Sequence, residues 1–202
     1  MALENKLLTY GLRRLAWSLV TETVQSGVTS SSYTTPADWL GAISVDLQSN
    51  ATKNVIRADD GDYWVNYGEG SYTGTLNVYQ IPPDLETALE WYKRDDNGLA
   101  VESSELYKST KYLALLMEFQ NDVRGTRHCF YKVALERPNI TSETTGEDGT
   151  ITPNQFAINI TATPRADADK FLHTYADRNS TQQAYEAFYT AVPIPTFTPP
   201  SP

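Results

Sequence analysis

The side chains best suited to chemistry in this 202-residue chain are few and far apart. His128 and His173 are its two histidines. Neither lies in a nucleophile-elbow pattern, and no HExxH or HxH arrangement occurs, so neither a Ser–His–Asp role nor a two-histidine metal site is expected. Cys129 is the single cysteine. That excludes an internal disulfide and a cysteine-based zinc site, and its setting in "HCFYKVALE" predicts a small core residue. The stretch "ADDGD" resembles a calcium loop, but Asp59, Asp60 and Asp62 straddle Gly61 and fit no EF-hand frame. A tight strand-to-strand turn is the better expectation. Paired carboxylates for glycoside hydrolysis carry no information, because 25 acidic residues always supply some pair. No GxGxxG or GxxxxGK[ST] loop cradles a phosphate. The expectation is therefore no catalytic residue, no metal and no cofactor.

Charge narrows the class further. The net charge is −9, and Lys and Arg cluster only in pairs such as Arg13–Arg14 and Lys93–Arg94. Nucleic-acid binders show the opposite balance, since phosphate contacts need cations. Met1 to Tyr10 has no long apolar stretch, and no run of roughly 18 apolar residues spans a membrane. Production in a cytoplasm is expected, with the N-x-[ST] sequons at Asn50, Asn139, Asn159 and Asn179 as chance matches.

The elements that would position these residues are mostly strands. Ile43, Val45 and Leu47 alternate with Ser44, Asp46 and Gln48, and "YWVNY", "TGTLNVYQI", "KYLALLMEFQ" and "QFAINITAT" continue the two-residue period. After Pro82-Pro83, "DLETALEWYKR" places Leu85, Ala88, Leu89 and Tyr92 at helical spacing. Its acids come first and Lys93 and Arg94 last, as the helix dipole favours. A weaker helix is expected from about Ser180, as N-cap. The predicted fold is mainly β (α+β): an antiparallel sandwich or barrel of about eight strands. One helix over 84–94 packs on it, with the weaker C-terminal helix beyond. A single domain over 1–191 carries non-periodic loops at 26–40 and 141–152, followed by a proline-rich arm over 192–202.

The aromatic residues crowd one hairpin region. Tyr63, Trp64, Tyr67 and Tyr72 follow the Asp-Gly turn, with large rings on both faces of one segment, as in a strand covered on both sides. The order of features then resembles a known family. "YGLRRLAWSLV" and "GVTSSSYTTPADWLGAISVDLQ" come first, then "ADDGDYW" and "GEGSYTGTLNVYQIPPDLETAL", and finally "CFYKVALERPNITSETTGEDGTITPNQFAINITATPR". This succession is similar to the major tail proteins, or tail tube proteins, of siphophages of Gram-positive bacteria, which have long non-contractile tails. The likeness runs from about Thr9 to Pro193, and the proline-rich end departs from it.

The resemblance implies a structural virion protein without catalysis. Its copies would form homohexameric rings that stack into a tube, through which the double-stranded genome passes during DNA ejection without tight binding. It further implies a tape measure protein, a tail terminator and a distal tail protein as partners, and a bacteriophage tail made in the host bacterial cytoplasm. An anionic lumen wall suits this, because it lets duplex DNA slide. Candidate lumen-facing residues are Ser44, Asp46, Gln48, Thr75, Asn77, Glu118, Asn159 and Thr161, whose other reading is a plain solvent face. Candidate subunit or ring contacts are Tyr33, Trp39, Tyr63, Trp64, Tyr67 and Tyr72. Two alternatives stand beside this: the tube protein of a contractile tail or injection system, and a carbohydrate-binding β-sandwich module using exposed Trp and Tyr.

Overall fold

The computed structural model describes residues 9–51, 53–58, 60–108, 110–121, 124–142 and 153–197. In chain order the elements are β1 (Thr9–Gln25), β2 (Val28–Tyr33), β3 (Ala37–Asp38), β4 (Ala42–Asn50), β5 (Lys53–Ala58), β6 (Gly61–Tyr67) and β7 (Ser71–Val78). Helix α1 (Pro83–Ala88), β8 (Lys93–Arg94), β9 (Ala100–Val101), β10 (Leu113–Asn121), β11 (Thr126–Leu135), β12 (Phe156–Ala162), β13 (His173–Ala176) and α2 (Gln182–Ala187) follow. Nine strands form one antiparallel sheet whose main path is β2-β1-β10-β11-β12-β7-β4, with β3 on β1 and β13 on β11. The sheet curls until β1 approaches β4 without pairing to it. The fold is thus mainly β, as the two-residue period predicts.

Two hydrophobic layers sandwich the central strands. Inside the curl lie Leu15, Trp17, Leu115, Met117, Leu76 and Ile158, closed over by Leu85, Leu89 and Trp91 from the α1 segment. On the outer side of β1, β10 and β11, Ala16, Leu116, Cys129 and Tyr131 are covered by Tyr185, Phe188 and Tyr189 of the α2 region. "LALLM", Leu113 to Met117, is therefore buried along its whole length. A strand covered on both faces is apolar without interruption. Cys129 is fully enclosed, in agreement with its sequence setting.

Several expected boundaries move. The helix predicted over 84–94 ends at Ala88, because Glu90 takes a φ of 57°. The Trp91 N–H reaches the Glu86 carbonyl and the Glu90 N–H reaches Thr87, the two bonds of a Schellman ending. A glutamate holds the left-handed position that usually marks itself in sequence as glycine, so the apolar spacing runs past the true end. Lys93 and Arg94 consequently lie in β8, outside the helix. In α2 the N-cap is Thr181, whose Oγ1 accepts from the Ala184 N–H. Ser180 instead accepts from the Asp177 N–H.

The stretch 26–40 contains β2 and β3 rather than an unstructured loop. Its Ser and Thr residues pair across a hairpin with the end of β1, in register from Val20↔Tyr33 to Gln25↔Val28. The first part of the arm over 192–202 is packed down. Val192 is buried and the Tyr131 hydroxyl donates to the Pro193 carbonyl at 2.6 Å. The stretch 141–152 falls mostly outside the described residues.

Trp39 corrects the sequence expectation most clearly. Only 1% of it is exposed, and its Nε1–H donates to the Gln80 carbonyl at 2.8 Å. It closes the inner core and is no surface anchor. Replacement by alanine is expected to destabilise the folded subunit by about 3–5 kcal/mol, read from urea unfolding. A loss under about 1 kcal/mol, below the usual range for a buried tryptophan, would contradict this placement.

Candidate functional site

The strands β12, β7 and β4 lie side by side at one end of the sheet, and their register aligns the predicted polar residues. Asp46 pairs with Thr75, and Thr75 with Asn159; Gln48 pairs with Thr73, and Thr73 with Thr161; Ser44 pairs with Asn77. Residues directly opposite in an antiparallel pair point to one side, so these residues share the outer face. Asn77 Nδ2 donates to Ser44 Oγ at 3.0 Å, and Asn159 Nδ2 donates to Glu136 Oε2 at 2.8 Å. The opposite face carries Val45, Leu76, Ile158 and Ile160 into the inner core. These three strands contain no Lys or Arg and a single acid, Asp46. Seven of the eight candidates thus form one open, cation-free face.

Glu118 is the exception and a correction. It is 5% exposed, on the side of β10 covered by the α2 region, where Arg127 Nε donates to its Oε2 at 2.7 Å. Its polarity in sequence matches an exposed position, but the helix cover and two arginines enclose it.

The face ends at β4, which among the described residues is paired on one side only, to β7. Gly74 brings these strands together. A β-carbon there would stand 1.8 Å from the Asp46 carbonyl oxygen, so any side chain drives β4 away.

The predicted contact residues scatter. Tyr33 is half-buried and packs on Tyr131 with centroids 6.3 Å apart; burial pushes its hydroxyl pKa up. Tyr72 packs edge-on against Phe130 at 5.1 Å and joins the inner core. Both, with Trp39, are occupied within their own subunit, because alternation turns them inward or the α2 region covers them. The side chain of Tyr67 lies outside the described residues. Tyr63 and Trp64 do face outward, 76% and 48% exposed.

They stand on β6, which pairs with β5 in a separate two-stranded sheet. Trp64 sits opposite Ile56, while Tyr63 and Val65 occupy the other face. Asp60 lies in the turn at a φ of 61°, the conformation that Asp tolerates in such turns.

Sequence spacing gave no sign of the histidine pair. β13 lies against β11, and His128 Nδ1 comes 3.0 Å from His173 Nε2. The rings are 13° from parallel with centroids 5.2 Å apart. That separation is the N–N distance plus a ring diameter, so the rings meet edge to edge and one N–H points at the other lone pair. No space remains between them for a metal. Phe119, Phe130, Tyr72 and Tyr175 surround the pair. Burial holds both below the ordinary histidine value, and the His128 neighbour adds to this for His173, which lies at about 4.

A scan against known family models and a search of curated proteins find nothing that matches this chain.

Two outcomes follow from this geometry. Gly74→Ala is expected to cost about 1–3 kcal/mol by overpacking, with the loss of amide protection concentrated in β4. Uniform loss across the sheet would count against the close approach. The histidines are neutral when folded and take protons near 6.5 when unfolded. Their contribution is therefore complete above that value and falls away as pH drops below it, for His173 toward about 4. The melting temperature of His173→Phe should depend less on pH than wild type between 6.5 and 4; parallel curves would refute the assignment.

Proposed function

We propose that this chain is a structural subunit that assembles into a tube, with the β12-β7-β4 face lining the lumen through which duplex DNA passes. One observation carries the reading: three adjacent strands present Ser, Thr, Asn, Gln and Asp outward without a single Lys or Arg. A polymer of phosphates gains affinity for a wall by displacing its counterions with cations. A wall without cations leaves it hydrated and free to slide. The sheet edges support assembly. β4 and β2 each pair on one side only among the described residues, and an open edge is a template for another chain. Joining these edges around a ring removes them and continues the polar face from subunit to subunit. The hexameric ring and the phage tail setting rest on the family resemblance alone, and the choice between a non-contractile and a contractile tail does not touch this mechanism.

The carbohydrate-binding alternative draws on the exposed Tyr63 and Trp64. As neighbours on one strand they point to opposite faces of the β5–β6 ribbon and form no common stacking platform. Their two-sided exposure suits a ribbon inserted between neighbouring subunits better.

Negative-stain microscopy and light scattering of the purified chain at rising concentration test assembly: rings or tubes are expected, and a persistent monomer overturns the proposal. Thr75→Cys tests the face. In assembled material a small maleimide should react with it while a protein-sized maleimide conjugate is excluded. Equal reaction with both would put the face on the outside.

A further inference from the structure

An arginine-lined cleft of about 410 Å³ opens where β1 begins and β10 ends. Arg13, Arg124 and Arg127 line it, with Glu118 the one carboxylate among the described lining residues, in a chain whose net charge is −9. We infer that this cleft is a socket for a carboxylate presented by a second copy of the chain. The inference rests on the self-assembly proposed above.

The backbone builds the cleft deliberately. β1 slips register against β10 between Tyr10 and Leu12 and again between Leu12 and Arg14, and Gly11 takes a φ of 63°. Such bulges add a residue and re-aim side chains. Here Gly11 and Arg13 are the two added residues. Arg14 is fully employed: its Nε and Nη2 donate to Asp38 Oδ1 at 3.0 and 2.8 Å, and its guanidinium lies 4.0 Å from the Tyr189 ring centre. Arg127 is employed as well, between Glu118 and the Tyr185 carbonyl. Arg124 lies 3.5 Å from the Tyr185 ring centre, with Nη1 directed to the Ser180 carbonyl.

Arg13 differs from all three. Its side chain is 66% exposed, and among the described residues its only ionic or hydrogen-bonding contact is Glu118 Oε1 at 3.7 Å. A guanidinium carries five donors in a planar fork that matches a carboxylate. This one lines the cleft with two further guanidinium groups, its side chain largely in solvent. Among the described residues its one ionic partner, Glu118, is held more closely by Arg127, at 2.7 Å against 3.7 Å, so the Arg13 fork keeps capacity for a further carboxylate.

Charge and shape select the occupant. Nucleic acid needs a track of cations along its backbone, and this is one pocket on an acidic surface. A single carboxylate satisfies it, and an identical copy with 25 acidic residues against 16 basic ones presents many.

Arg13→Gln keeps a polar, hydrogen-bonding side chain and removes the charge. Because Arg13 is exposed in the subunit, the melting temperature should hold. Sedimentation equilibrium should then show self-association weakened by about tenfold or more, as for removal of one partner from an interfacial charge pair. Arg13→Lys should recover part of the loss, and added salt should weaken wild type more steeply than Arg13→Gln. If Arg13→Gln associates within twofold of wild type while wild type still forms rings or tubes, the socket is overturned and the tube reading stands. If wild type stays monomeric, both fall. Binding of inorganic phosphate that is lost in Arg13→Gln, with association unchanged, would make this a site for a free anion and overturn the partner assigned here.

Discussion

Burial of the central strands on both faces is the constraint on which the rest of this structure depends. β1, β10 and β11 carry apolar residues toward the inside of the curl and toward the α2 region alike. A single sheet hydrophobic on both sides requires two covers, and the chain provides them from its own length. The α1 segment and Trp39 close one side, and the α2 region with Val192 closes the other. The cover on the outside stops short of β12, β7 and β4. Those strands alternate strictly, because only one of their faces has a partner within the subunit. The open polar face is thus a consequence of where the second cover ends.

The same limit decides the electrostatics. Where the α2 region meets the sheet, aromatic rings and arginines interleave: Arg14, Arg124 and Arg127 all lie against Tyr185 or Tyr189. Desolvated arginines need a carboxylate or a ring face, and Glu118 supplies the carboxylate. The cations are drawn to the covered end of the sheet, while the uncovered end has none. An acidic protein thereby separates a surface without cations from a local concentration of them. The first suits a sliding polyanion, and the second suits a fixed acidic contact.

Much of the strand content is legible from residue period, and seven of the eight polar candidates, named by alternation alone, share one face. Alternation is a local rule: given a strand, every second residue shares a face. Glu118 obeyed it and still was misplaced, because the rule cannot say which face a distant helix covers. Tyr33, Trp39 and Tyr72 failed for the same reason. A large ring in a Ser/Thr-rich stretch looks exposed until the segment is seen to fold against β1 and the core. The α1 boundary failed differently, since the left-handed residue that ended it was Glu90 rather than glycine.

What the sequence determined by itself is whatever depends on neighbours along the chain: the two-residue period, the Asp-Gly turn between β5 and β6, the enclosed cysteine, and the acidic balance. Tertiary structure alone decided the histidine pair, the enclosure of Glu118 and the aiming of Arg13. Each depends on register between strands or on a helix laid across them, and register is set by how both faces of β1, β10 and β11 find cover. That is a property of the assembled sheet, and no local spacing encodes it.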